Sequence, residues 1–141
     1  MMRTPVSRLF STVAVAIGLL AANVAAASPY SGFYVFGDSL SDSGNIYATT
    51  SGSMPPSPYF NGRFSNGPTY AENLGARYGF AAGPSLLGGT NYAFGGATAG
   101  GSAMAIPSRG DQVSMFRALP GQADSHALYV LWAGGNDLRA N

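Results

Sequence analysis

Three points in this sequence place a serine, a glycine pair or an asparagine directly after a stretch with strand character, and each could carry chemistry. The first is Phe36-Gly37-Asp38-Ser39-Leu40-Ser41-Asp42-Ser43-Gly44-Asn45. A serine that follows a strand and opens a helix exposes its hydroxyl at the sheet edge, where the helix N-terminus favours developing negative charge. Ser39 therefore has the placement of a nucleophile. The same residues satisfy Ser39-x-x-Asp42, a capping-box pattern that would merely start a helix, and local physics weighs the two readings about equally. The α/β-hydrolase elbow is G-x-S-x-G, and Gly37-Asp38-Ser39-Leu40-Ser41 lacks its second glycine, which counts against that fold.

The second point is Gly95-Gly96, followed by small residues from Ala97 to Gly101, a turn that would lie close against something. Gly95 to Gly100 has phosphate-loop spacing, but Gly101 stands where the lysine is required. The third is Gly134-Gly135-Asn136-Asp137, a turn asparagine with an aspartate able to cap a following helix. The single histidine, His126, precedes a strand run, so a parallel sheet would put it at the end opposite Ser39. It reads as a surface residue. Arg109-Gly110-Asp111 spells an adhesion tripeptide, a match too short to carry weight.

The elements that must position these residues follow from pattern. Gly32 to Phe36 is a short aromatic and β-branched run that fits a buried strand, and Thr90 to Phe94 has strand character. Ala127 to Trp132 is the most apolar stretch after residue 27 and reads as a central strand. Tyr47 to Gly67, rich in Ser, Pro, Gly and Asn, reads as a long surface loop. Pro68 stands where a first helical residue would, with Leu74 and Tyr78 on one face before Gly79, giving a helix of about ten residues. Asp111 to Leu119 can form a second, modest helix. Strands separated by helical segments and ending in glycine-bearing turns imply a parallel α/β sheet with chemistry at the carboxyl ends of its strands.

The chain has 141 residues, 46% hydrophobic and 9% charged, which suits one globular domain. Seven basic residues, all arginine, nearly balance six acids, so no basic face points to nucleic acid. Cysteine is absent, which excludes disulfides and thiolate metal sites. Residues 1–27 read as a secretory signal peptide: Arg3 and Arg8 precede an apolar run from Val13 to Ala22, and small residues end at Ala25-Ala26-Ala27. The run is short of the ~20 residues a membrane span needs. Cleavage after Ala27 would remove two arginines, leaving residues 28–141 slightly acidic, as a secreted, periplasmic or cell-surface domain.

Gly37-Asp38-Ser39-Leu40, in the extended form FGDSLSDSGN, resembles the signature of GDSL (SGNH) hydrolases. Gly62-Arg63-Phe64-Ser65-Asn66-Gly67, Asn91-Tyr92-Ala93-Phe94-Gly95-Gly96-Ala97 and Gly134-Gly135-Asn136-Asp137 follow in that family's order. The resemblance implies a three-layer α/β/α sandwich on a parallel sheet, similar to flavodoxin, and hydrolysis of small-molecule or lipid esters through an acyl-serine, without cofactor or metal. It implies Ser39 as nucleophile and oxyanion N–H donor, Gly96 as a second N–H donor with Gly95 as the alternative, and the Asn136 side-chain amide as a third. It also implies a base in an Asp-x-x-His block. No such block occurs before Asn141, so the chain resembles the N-terminal part of such an enzyme and is expected to be inactive by itself. A non-catalytic binding module, an acyltransferase and a carbohydrate deacetylase share the motifs present.

Overall fold

Residues 28–100, 106–121 and 123–139 are described by the computed structural model; the expected signal peptide lies outside them. The first strand, β1 (Phe33–Phe36), alternates its side chains as a strand must. Phe33 and Val35 enter one apolar cluster, with Ala71 and Ala82. Phe36 enters another, with Tyr92 and Phe116, against which Tyr34 packs. Helices cover both faces: α2 (Tyr70–Arg77) brings Ala71 and Leu74 to the first cluster, and α3 (Arg109–Arg117) brings Met115 and Phe116 to the second. β2 (Leu128–Leu131) pairs with β1 in parallel, from Phe33↔Leu128 to Phe36↔Leu131. The described residues thus form an α/β unit on a two-stranded parallel sheet.

The segment Thr90 to Phe94 lies along the other edge of β1 without forming a continuous strand. Val35 N–H donates to Thr90 O at 3.1 Å, and Tyr92 and Phe94 N–H donate to Val35 and Gly37 carbonyls at 2.7 and 3.1 Å. The ladder breaks where Gly37 N–H would continue it, because the buried Gln112 amide from α3 takes that N–H at 2.8 Å and returns a bond to Gly37 O at 2.8 Å. A side chain replaces one rung, leaving an isolated bridge at Val35↔Asn91.

Both longer helices begin at capping boxes. Thr69 accepts from Glu72 N–H while the Glu72 carboxylate accepts from Thr69 N–H at 2.8 Å, and Ser108 and Asp111 do the same for α3. Pro68 therefore lies outside α2 and Thr69 takes the cap. Helix α3 starts two residues before the expected Asp111, so Arg109-Gly110-Asp111 is a helix's first turn with Asp111 engaged in its cap.

Ala127 to Trp132, expected as a central strand, supplies β2, which among the described residues is bonded to β1 alone. Its apolar side chains are accordingly only half covered, and Leu131 is exposed.

Candidate active site

Beyond β1 the chain turns at once. Ser41 and Asp42 N–H both donate to Asp38 O at 3.0 Å, and Leu40 N–H donates to the Asp38 carboxylate at 3.0 Å. Ser39 sits in this turn, partly exposed. No helix opens at Ser39, contrary to the sequence expectation: α1 (Asn45–Thr49) starts six residues later and has only five residues. The Ser39-x-x-Asp42 capping box is absent, and no helix N-terminus begins at the hydroxyl. Asp42 instead accepts from the N–H groups of Gly44 (2.7 Å), Asn45 (2.6 Å) and Ile46 (3.2 Å) at the start of α1, and from Gly95 (2.9 Å). Burial pushes the Asp42 carboxyl above its ordinary value, and these four donors pull the other way.

Asp42 has two equally buried companions. The Asn45 amide donates to Asn91 O and Ala93 O at 2.8 and 2.9 Å and accepts from Leu86 N–H at 3.1 Å. The Asn91 amide donates to Ser41 O at 2.7 Å and accepts from Ala93 N–H at 3.0 Å. These three side chains fasten the serine turn to the glycine turn. Sequence reasoning missed the fastening, because Asn45 beside Gly44 carries the signal of a surface turn and Asn91 lies inside a strand-like run.

The glycine turn is thereby fixed. Gly95 N–H is spent on Asp42, whereas Gly96 N–H has no hydrogen-bond partner among the described residues. Gly96 has φ +86°, a left-handed conformation that favours glycine. Ser39 N–H and the Ser39 hydroxyl are likewise without partners among the described residues. Ser39 and Gly96 line one cavity of about 890 Å³. The neighbouring serines do not compete: Ser41 Oγ is buried against Tyr70 Oη at 3.0 Å, and Ser43 Oγ is buried without a partner.

Asn136 does not line that cavity. Its amide donates to Ala97 O at 2.8 Å, one residue beyond Gly96, while Asp137 accepts Ala99 N–H with both oxygens, at 3.0 and 2.9 Å, instead of closing a cap on its own turn. An asparagine amide has two N–H donors, and one remains without a partner among the described residues. His126 stands at the far end of β2, level with Ser31, whose N–H donates to His126 O at 3.2 Å. Its ring is 84% exposed and 3.5 Å from Asp124. The structure brings Ser39 and Gly96 together, ties the Asn136 amide to the residue after Gly96, and leaves His126 at the opposite end of the sheet.

A serine turn after a parallel strand, tied to a glycine turn whose Gly96 N–H is open, marks this α/β unit as one with its polar groups gathered at the carboxyl end of β1. Residues 33–141 match the GDSL-like lipase/acylhydrolase family, and the chain belongs to it. It is 38% identical over 134 residues to "Lipase 1" of Photorhabdus luminescens, an alignment covering 87% of this chain and 18% of that protein. It is 36% identical over 133 residues to "Phosphatidylcholine-sterol acyltransferase" of Aeromonas hydrophila, covering 88% of this chain and 38% of that protein. The chain thus spans less than half the length of either relative. Among the described residues no helix is long and apolar enough to cross a membrane.

Proposed function

We propose that this chain carries the nucleophile and oxyanion donors of an exported carboxylic-ester hydrolase, built as a three-layer α/β/α sandwich like flavodoxin. The carrying observation is that the Ser39 hydroxyl, Ser39 N–H and Gly96 N–H, all without internal partners among the described residues, belong to one cavity. Ser39 Oγ bonds to the acyl carbon as its proton passes to a base; the carbonyl oxygen becomes an oxyanion held by Ser39 N–H, Gly96 N–H and the second Asn136 N–H. Collapse expels the alcohol, and water then releases the acid. Each such donor contributes about 2.7 to 4 kcal/mol in the transition state. The base is the Asp-x-x-His block that the resemblance implies, outside residues 1–141, so these residues alone turn over little ester. Arg3, Arg8, the apolar run and Ala25-Ala26-Ala27 support export with cleavage near Ser28.

In a form of the protein that includes the Asp-x-x-His block, a fluorophosphonate labels Ser39 and Ser39→Ala abolishes hydrolysis. Asn136→Ala lowers kcat more than it raises KM, because the oxyanion forms only after attack. Labelling at Ser41 or Ser43 would refute the assignment. A second reading, transfer of the acyl group to an alcohol instead of water, is favoured by the relative named as an acyltransferase. Addition of a sterol to the assay separates the two: acylated sterol appears at the expense of free acid only if the acyl-serine transfers to alcohols.

A further inference from the structure

The Ser39 hydroxyl and N–H make no hydrogen bond of their own among the described residues, so neighbouring residues must hold Ser39 in place. Ser41, wholly buried two residues further on, is held at three atoms. Its N–H donates to Asp38 O at 3.0 Å and closes the turn, its carbonyl accepts from the Asn91 amide at 2.7 Å and ties the turn to the glycine turn, and its Oγ meets Tyr70 Oη at 3.0 Å. The Ser41 side chain also fills the space over Gly37, where a Cβ would come within 2.9 Å of Ser41 Oγ and 2.8 Å of Trp132 O. Of the three bonds, only the one to Tyr70 reaches a helix.

Tyr70 is the first residue of α2, directly after the cap residue Thr69. The capping box fixes this turn, and the carboxylate that completes it, Glu72, also takes the Arg63 guanidinium at 2.6 Å, so the helix start is bound to the preceding loop as well. The Tyr70 ring lies against Trp132, with centroids 5.6 Å apart, which restricts where its hydroxyl can go. Burial raises the Tyr70 phenol above its ordinary value, so its bond to Ser41 joins two neutral hydroxyls. Tyr70 does not line the Ser39 cavity and so reaches the site only through the turn. We propose that Tyr70 is a positioning residue: through Ser41 Oγ it holds the turn of residues 38–41, and Ser39 with it, in the placement relative to Gly96 N–H that attack requires. This role rests on the reading of Ser39 as nucleophile. A misplacement of about 1 Å at a reacting atom can cost on the order of 100-fold in rate.

The test is p-nitrophenyl butyrate hydrolysis by a form of the protein that includes the Asp-x-x-His block. Tyr70→Phe deletes one oxygen and keeps the ring on Trp132; it is expected to lower kcat about tenfold or more with KM within about twofold, because the loss falls on the transition state. Ser41→Ala removes the other end of the bond and is expected to give a similar fall, with no further fall in the double variant. The double variant also separates positioning from stability. Tyr70→Phe leaves Ser41 Oγ buried without its partner, a defect that Ser41→Ala erases, so the urea midpoint is expected to recover in the double variant while kcat stays low. An unchanged kcat in Tyr70→Phe, losses that multiply in the double variant, or a kcat that recovers together with stability overturns the proposal. Fluorophosphonate labelling of the unsubstituted protein distinguishes the two readings. Labelling at Ser39 with kcat unchanged in Tyr70→Phe removes the tether and leaves the nucleophile, whereas no labelling at Ser39 overturns both.

Discussion

Below the Ser39 turn, Asp42, Asn45 and Asn91 are sealed completely from solvent, whereas at the end of β2 Leu131 and the following Trp132 stand 55% and 48% exposed. Residue types normally distribute the other way. At the first place a network of short hydrogen bonds offsets the cost of burying polar groups, and in return the backbone of two turns is held in one arrangement. At the second, the described residues leave the outer backbone edge of β2 without partners, and such surface associates with whatever covers it. The buried polar region defines geometry; the exposed apolar region invites a partner strand.

The largest effect should come from breaking the polar side of this contrast. Asp42→Ala removes the acceptor of four N–H groups at once, from Gly44, Asn45, Ile46 and Gly95. A buried donor left unpaired costs about 1 to 3 kcal/mol, so a loss of roughly 3 kcal/mol or more is expected, with the glycine turn released from the serine turn. Urea unfolding measures it as a lower midpoint at unchanged slope. A loss below about 1 kcal/mol would mean that the four donors find other partners and that Asp42 does not fix the site.

The apolar side is tested by Leu131→Lys. Residues 28–141 should self-associate through β2, detectable by size exclusion at rising concentration. A charge on the edge should weaken that association by about tenfold, the ~1.4 kcal/mol expected from partial burial of one leucine. Its effect on unfolding should stay within about 0.5 kcal/mol, as for other exposed positions. Association that ignores the substitution would locate the sticky surface elsewhere.

How far these regions were legible in the sequence follows the same division. β1, β2 and the long loop are legible because apolar runs and Pro/Gly-rich stretches are local signals, and the four motif blocks gave the family. The pattern Ser/Thr-x-x-Asp/Glu occurs at Ser39, Thr69 and Ser108, and only the last two form capping boxes. At Thr69 and Ser108 a helix follows immediately; after Asp42 the chain continues Ser43-Gly44 and the helix begins only at Asn45, so the aspartate caps forward. The broken rung at Gly37 depends on Gln112, 75 residues away, and no local pattern reports it. The continuous apolarity of β2 reads as burial on both sides, and the described residues cover only the side that faces β1.

The pH dependence sharpens the polar side at smaller amplitude. Burial raises the Asp42 carboxyl above 3.8, its ordinary value, so between that value and the raised one the folded chain holds a proton that the unfolded chain has lost. Stability from this group therefore falls as pH climbs through that window and levels off above it. Asp124 slopes the other way: the Ser31 hydroxyl and then His126 N–H lower its carboxyl, so its contribution is lost as pH falls. Subtracting the Asp42→Ala curve isolates Asp42, and the stability gap between the two proteins should narrow as pH rises from about 3.8. A gap that widens would mean that the four N–H donors outweigh burial.

The smallest expected effect is none, at His126. Its backbone carbonyl is level with Ser31, two residues before β1, and the chain from there to Gly37 extends about 3.3 Å per residue, so Ser39 is roughly 15 Å or more away. A base must come within about 2.6 to 3.2 Å of the hydroxyl it deprotonates. The ring's one described charged neighbour is Asp124 at 3.5 Å, a solvent-exposed pair that water and salt screen. The stronger local bond, His126 N–H to the Asp124 carboxylate at 2.8 Å, belongs to the backbone and survives replacement of the side chain. His126→Ala should therefore leave p-nitrophenyl butyrate hydrolysis unchanged in a protein that includes the Asp-x-x-His block, and residues 28–141 should hydrolyse little with or without the substitution. Robust turnover by residues 28–141 that His126→Ala destroys would put the base at the wrong end of the sheet and overturn the assignment of Ser39 along with it.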